Sequence, residues 1–199
     1  MQKRYLVYLD NKRSYSAENS KGLLQTLRLT LKTHTNEEIR DIRISEYFIE
    51  LDIGSDHKTI FFENDEKFVS SIRHIGSILY VEELSEKKDK MSNEETITSA
   101  ICLFNLQRFW KSHEVLEGVW RNAYGYTKKL LNGLILIDAA YVHLQKGEHD
   151  IYISILKRSV EKLKDSPDYF FNINMIKLMY NLDKIISENS AFYFKIFLK

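Results

Sequence analysis

FNLQRFWKSHEVLEGVW, residues 104–120, decides how the second half of this chain folds. It holds both tryptophans, Trp110 and Trp120. Between them three polar residues, His113, Glu114 and Glu117, sit inside an apolar helical pattern. At about 100° per residue, Phe109, His113, Leu116, Glu117 and Trp120 fall within one arc of roughly 100°. An imidazole and a carboxylate four residues apart on a core-facing stripe are costly unless they satisfy each other or bind something. The stripe predicts that both are mostly buried and lie near each other.

Working outward, Ser92 or Asn93 caps a preceding helix whose stripe is Ile97, Ala100, Ile101 and Phe104. On one continuous helix that stripe would lie opposite His113. A break is therefore expected near Asn105, a residue that tolerates the left-handed conformation at a helix end. A second helix then runs over 107–121. A third, 128–146, is apolar nearly all round, reads as the central one, and ends at Gly147. A fourth, 149–164, turns Tyr152, Leu156, Ser159, Val160 and Leu163 inward, and Ser166-Pro167 makes the next turn. Asn174 caps a fifth, with Ile176, Met179, Leu182 and Ile186 inward. The tail AFYFKIFLK alternates Phe192, Phe194, Ile196 and Leu198 with Tyr193, Lys195, Phe197 and Lys199. Its apolar set is expected to be buried on the N-terminal domain or on a second subunit, since burying one such side chain contributes roughly 1.5–3 kcal/mol.

The first half reads in another period. RYLVYL, 4–9, is a buried strand. Residues 18–34 form a helix with Leu24, Leu27 and Leu31 inward, capped by Asn19 or Ser20. IRDIRISEYFIELDIG gives two strands around Ser45-Glu46, the second with Phe48, Glu50 and Asp52 on a wet face. A helix capped by Asn64 carries Phe68, Val69, Ile72 and Ile75 and stops at Gly76. Lys58 to Phe62 reads as either part of that helix or an extra strand. SILYVEEL, 77–84, is the last strand. The order strand, helix, strand, strand, helix, strand is that of a ferredoxin-like βαββαβ sandwich. SEKKDKMSNEE, 85–95, is nearly all charged or polar and marks the boundary. The expected class is α+β: a ferredoxin-like domain over 1–85 and an all-α helical bundle over 92–199.

At 199 residues, with 44% apolar and 29% charged side chains, the chain can bury a sizeable core. Residues 1–90 carry 15 basic and 16 acidic side chains, and 91–199 carry 14 and 12. Neither half has the excess of a nucleic-acid or anionic-membrane binder. Cys102 has no partner for a disulfide, so a reducing cytoplasm is the expected compartment, and the thiol reads as a buried core residue. MQKRYLVYLDNK has no long apolar stretch of the signal-peptide kind. The run from Leu130 to Leu144 is broken by Asn132, Asp138 and His143 and is too short to span a bilayer. Few Pro and Gln residues beside abundant Ile, Lys, Glu and Tyr fit a thermophile's composition.

The helical half resembles a known family, domain-of-unknown-function family 309, marked by HxxxExxW after a Phe-Asn turn. The matching residues are Phe104, Asn105, Phe109, Trp110, His113, Glu114, Leu116, Glu117 and Trp120. Gly133, Leu134, Ile135, Ala139, Ala140, His143 and Gly147 follow, and the likeness covers residues 95–163. It implies a compact helical bundle and no activity. Gln107 stands where the family turn usually has Gly, Asn132 where it usually has Gln, and Asp138 within a run that is usually apolar.

His113 and Glu117, one turn apart, could jointly ligate a divalent metal. HExxE is not the zinc-protease HExxH, and one helix offers too few ligands. His143 is the candidate from the third helix, with Asn132 and Ala139 on its face. Asp138 lies about 140° from His143 and is excluded. The alternative is a satisfied buried network of His113, Glu117 and His143 that sets helix register, with Trp120 packed over it. No Gly-rich phosphate loop or GxSxG elbow is present. EYFIELDI is not an RNA-recognition motif, which argues against nucleic acid. A non-enzymatic interaction module, a metal-dependent hydrolase or metal-binding protein, and a nucleic-acid accessory protein remain as readings. No cofactor beyond that metal is expected, and a protein partner or homodimer is, because sheet edges must be covered.

Overall fold

The computed structural model describes residues 3–34, 37–55, 66–84 and 91–199. It is α+β and divides into two compact units, residues 1–88 with 145–147, and 89–144 with 148–199.

The first unit contains β1 (Lys3–Asp10), α1 (Ser20–His34), β2 (Glu38–Ile44), β3 (Phe48–Ser55), α2 (Glu66–Ile72) and β4 (Ile78–Glu83). Its strands form one antiparallel sheet in the order β2-β3-β1-β4. Period-2 alternation sends Tyr5, Val7 and Leu9 to one face with Ile42, Ile44, Ile49, Leu51 and Ile53. There they meet Leu27 and Leu31 of α1 and Phe68 and Ile72 of α2. The ladder between β1 and β4 shifts register after Tyr8, whose partner is Tyr80, while Leu9 pairs with Ile78. Leu79 is the extra residue, a bulge on an edge strand.

The other face corrects the sequence reading. Glu50 and Asp52 are not wet but buried, at 2% and 1% exposure. Arg43, also buried, is paired to Glu50 and stands 3.4 Å from Asp52. Arg4 Nε donates to Asp52 at 2.8 Å. Carboxylates can leave water here because guanidinium groups on neighbouring strands meet them. The expected Asn64 cap and the segment 58–62 lie outside the described residues, as does most of the charged stretch after Leu84.

The second unit contains α3 (Asn93–Asn105), α4 (Phe109–Trp120), α5 (Gly125–Leu144), α6 (His149–Leu163), the two-residue strands β5 (Tyr169–Phe170) and β6 (Ile173–Asn174), and α7 (Met175–Glu188). Ser92 caps α3 in a capping box with Glu95, and Asn174 caps α7 by accepting from Lys177 N. α5 is buried along most of its length and packs on α4 and α6. Gly133 permits the close approach of α6, since a Cβ there would meet Leu163 Cγ at 2.6 Å. Among the described residues, no helix is long and apolar enough to cross a membrane.

Four expectations change. The break after α3 falls not at Asn105 but at Gln107, the residue with the left-handed φ of 60°. Asn105 uses its side chain instead: its amide donates to Ile196 O at 2.9 Å and accepts from Ile196 N at 2.8 Å. The tail therefore docks on its own helical unit, with Ile196 buried and Phe192, Phe194 and Leu198 half-buried against the bundle core. The buried stripe of α7 is Met175, Leu178, Leu182 and Ile185. Ile176, expected inside, is exposed: two apolar stripes shifted by one residue both fit this helix, and the one starting at the capped Met175 packs. Cys102 is exposed rather than a core thiol.

Candidate functional site

α4 begins where the left-handed turn at Gln107 redirects the chain. Phe104 and Phe109 meet edge to face across that turn, ring centres 4.9 Å apart, and Phe109 stacks on Tyr141 of α5 at 4.8 Å. The buried stripe of α4 is Phe109, Ser112, Leu116 and Val119, a helical spacing that keeps Phe109 and Leu116 of the expected stripe and replaces His113 by Ser112. Trp110, His113, Glu117 and Trp120 have the same spacing one residue on. They form the half-buried shoulder of the helix, not its core face.

On that shoulder the His113 imidazole lies parallel to Trp110, 5.9 Å between ring centres and 4° between planes. His113 Nε2 stands 3.5 Å from Glu117 Oε1, whose other oxygen is 3.4 Å from Arg121. The His113 side chain is 20% exposed and that of Glu117 37%, so both are mostly buried, although neither belongs to the fully buried stripe. Trp120 carries the Lys128 ammonium over its ring at 4.5 Å. Glu114 is half-buried on α4, and Asn132 half-buried on α5.

His143 has a different partner. Its Nδ1 is 2.6 Å from Glu148 Oε2, and Glu148 N donates to His143 O at 3.0 Å. The pair closes the C-terminal end of α5. Because Tyr141 already faces Phe109 at the start of α4, His143 lies beyond that start, away from Glu117. The structure thus brings His113 to Glu117 and gives His143 to Glu148. Among the described residues, no group of three or more His, Cys, Asp or Glu side chains stands together as a metal site.

Sequence reasoning missed the fully buried polar pair. Asp138 of α5 is 1% exposed, and Ser112 of α4 is wholly buried. The Ser112 hydroxyl lies 2.9 Å from Asp138 Oδ2 and 2.9 Å from Ala100 O of α3. Burial pushes the Asp138 carboxyl well above the usual range, and the Ser112 hydrogen bond opposes this only in part. Nearby, Tyr141 donates to Phe192 O at 2.8 Å. Burial also raises the Tyr152 phenol, to about 12. The signal was present: Asp138 is an acid within the otherwise largely apolar run from Leu130 to Leu144. Asp138 points away from His143 on the helical wheel, and its partner is Ser112 instead.

Residues 97–155 match the family model of the domain of unknown function DUF309. The DUF309 segment runs from α3 into α6 and contains both the His113 shoulder and the Ser112–Asp138 pair. The first unit up to β4 and the whole of α7 lie outside it. No curated protein matches the chain.

Proposed function

We propose that the protein acts through protein contacts, as a non-enzymatic helical interaction module joined to a ferredoxin-like adaptor. The element order and the strand order β2-β3-β1-β4 support the ferredoxin-like part of this reading. The observation that carries the module reading is the α4 shoulder. Trp110, His113, Glu117 and Trp120 are partly exposed, with His113 stacked on Trp110 and paired to Glu117, and Glu117 paired to Arg121. Beyond them Arg121 is exposed, with Tyr124 and Tyr126 at the start of α5. Rigid aromatic residues and arginine at a surface are the composition of interface anchors. A metal bridging His113 and Glu117 is the second reading, since their facing atoms are a one-turn ligand pair.

Cross-linking of the protein at its native level, with metal analysis of untagged material, tests the two together. A stoichiometric protein partner cross-linked to the helical unit, weakened by Trp120→Ala, is the expected result. Stoichiometric zinc, manganese or iron, lost from both His113→Ala and Glu117→Ala, would replace it with the metal reading.

A further inference from the structure

α7 turns a second apolar face outward. Ile176 and Tyr180, one turn apart, are 61% and 68% exposed. Tyr169 and Phe197, brought to the N-terminal end of the helix by the short strands, are 45% and 48% exposed. Single exposed hydrophobic residues need no explanation, but several gathered on one element do. Two of these rings lie under ammonium groups. Lys177 Nζ is 3.7 Å from the Phe197 ring centre and Lys199 Nζ 5.1 Å from that of Tyr169. Farther along, Lys184 Nζ is 5.7 Å from the ring of Phe192.

The surface is also held in shape. Asn174 N donates to Phe197 O at 3.0 Å, Lys199 N to Asn172 O at 2.8 Å, and Leu198 bridges to Ile173. Asn105 clamps Ile196 next to Phe197. A partner would therefore meet anchors already ordered and lose little entropy in fixing them.

We infer that the outward face of α7, with Phe197 and Tyr169 beside it, docks an acidic amphipathic segment of a partner protein. Apolar side chains of that segment pack on Ile176 and Tyr180, and its carboxylates meet Lys177 and Lys199. Two other occupants fit worse. A nucleic acid would have to stack bases on rings whose outer faces already carry ammonium groups. A second copy docked through the same face would gather Lys177 and Lys199 of both copies in one interface, the less favourable charge arrangement. Asp183 closes the stripe toward its C-terminal end, so the acidic residues of the segment belong at the Lys177 end. The inference rests on the interaction-module reading and names a surface outside the DUF309 segment.

The test is fluorescence anisotropy with the full chain and a labelled amphipathic helical peptide of Glu, Leu and Phe. The same peptide with Lys for Glu, and a single-stranded oligouridine, serve as controls. The acidic peptide is expected to bind with salt-sensitive affinity. Binding should fall about tenfold or more in Lys177→Glu/Lys199→Glu and likewise in Ile176→Ser/Tyr180→Ser. These positions are exposed, and circular dichroism checks that the variants fold. No binding, equal binding of the Lys peptide, preference for oligouridine, or indifference to both variants would overturn the inference. Self-association lost in Ile176→Ser/Tyr180→Ser would do the same. A native partner cross-linked only to the α4 shoulder would sink this surface while leaving the interaction-module reading intact.

Discussion

The Ser112 hydroxyl and the Asp138 carboxyl meet 2.9 Å apart inside the helical unit, and the same hydroxyl is 2.9 Å from Ala100 O. A hydroxyl has one proton to give. If it goes to Ala100, the contact with Oδ2 needs a proton from the acid. A neutral Asp138 completes a chain from α5 through α4 to α3. An ionised one would leave a buried charge with a single donor. Burial holds the folded pKa well above the ordinary 3.8, so the folded state keeps this proton more tightly than the unfolded chain. That contribution to stability is full below the unfolded pKa and is lost as pH rises toward the folded one. Across that window each pH unit removes up to about 1.4 kcal/mol. Urea unfolding at several pH values should show the parent losing stability upward from about pH 4 through this group. Asp138→Asn, which keeps a donor for Ser112 and cannot ionise, should remove that slope and be at least as stable at neutral pH. Parallel profiles for the two proteins would show that Asp138 is not the group responsible.

Gln107 holds a φ of 60° and is 6% exposed. A side chain in the left-handed region costs roughly 1–2 kcal/mol, which glycine avoids. Gln107→Gly and Gln107→Ala both remove the buried amide, but only alanine keeps the strain. Gln107→Gly is expected to be the more stable of the two by about 1 kcal/mol in denaturant unfolding, after the greater chain entropy of unfolded glycine is counted. Equal stabilities would mean that the turn relaxes to a different conformation in the variants.

How far the sequence could be read follows from these same residues. Periods of 2 and 3.6 mark most of the strands and helices, and capping residue types mark Asn174 and narrow the start of α3 to Ser92 or Asn93, because those signals are local. The break before α4 was legible from stripes that could not share a straight helix. Its left-handed residue was displaced by two because Asn, not Gln, is the usual bearer of that conformation. On α4 the reading chose a stripe containing His113, whereas packing chose Ser112. The partner that Ser112 finds on packing, Asp138 of α5, is 26 residues away and leaves no local signal on α4. The same limit hid the pairing of Asp138, the neutralisation of Glu50 and Asp52 by arginines on neighbouring strands, and the phase of α7.

Asn105 ties two distant parts of the helical unit with both hydrogen bonds of one peptide-like amide. Asn105→Ala leaves the Ile196 N–H and C=O to find other partners, a cost of about 1–3 kcal/mol. Removing residues 190–199 should cost more, because it also strips Ile196, Phe192, Phe194 and Leu198 from the core. Thermal unfolding should rank the parent above Asn105→Ala and that above the truncation. A truncated chain as stable as the parent would show that the tail contributes nothing to the bundle.

His113 and Glu117 face each other at 3.5 Å, with side chains 20% and 37% exposed. A buried pair would lose 1–3 kcal/mol on single truncation, by the cost of an orphaned group. A partly exposed pair one helical turn apart has water as a substitute partner, and such pairs couple by about 0.3–0.5 kcal/mol. A double-mutant cycle of His113→Ala, Glu117→Ala and the double variant is therefore expected to show coupling no larger than that. Most of the His113→Ala loss should come from the vanished stacking on Trp110, and His113→Phe should restore it. If the pair serves partner contact, both alanine variants keep their folded stability within about 1 kcal/mol while cross-linking to the partner falls. A coupling above about 1.5 kcal/mol would instead mean that the two groups are sealed from water in solution, as a structural network is.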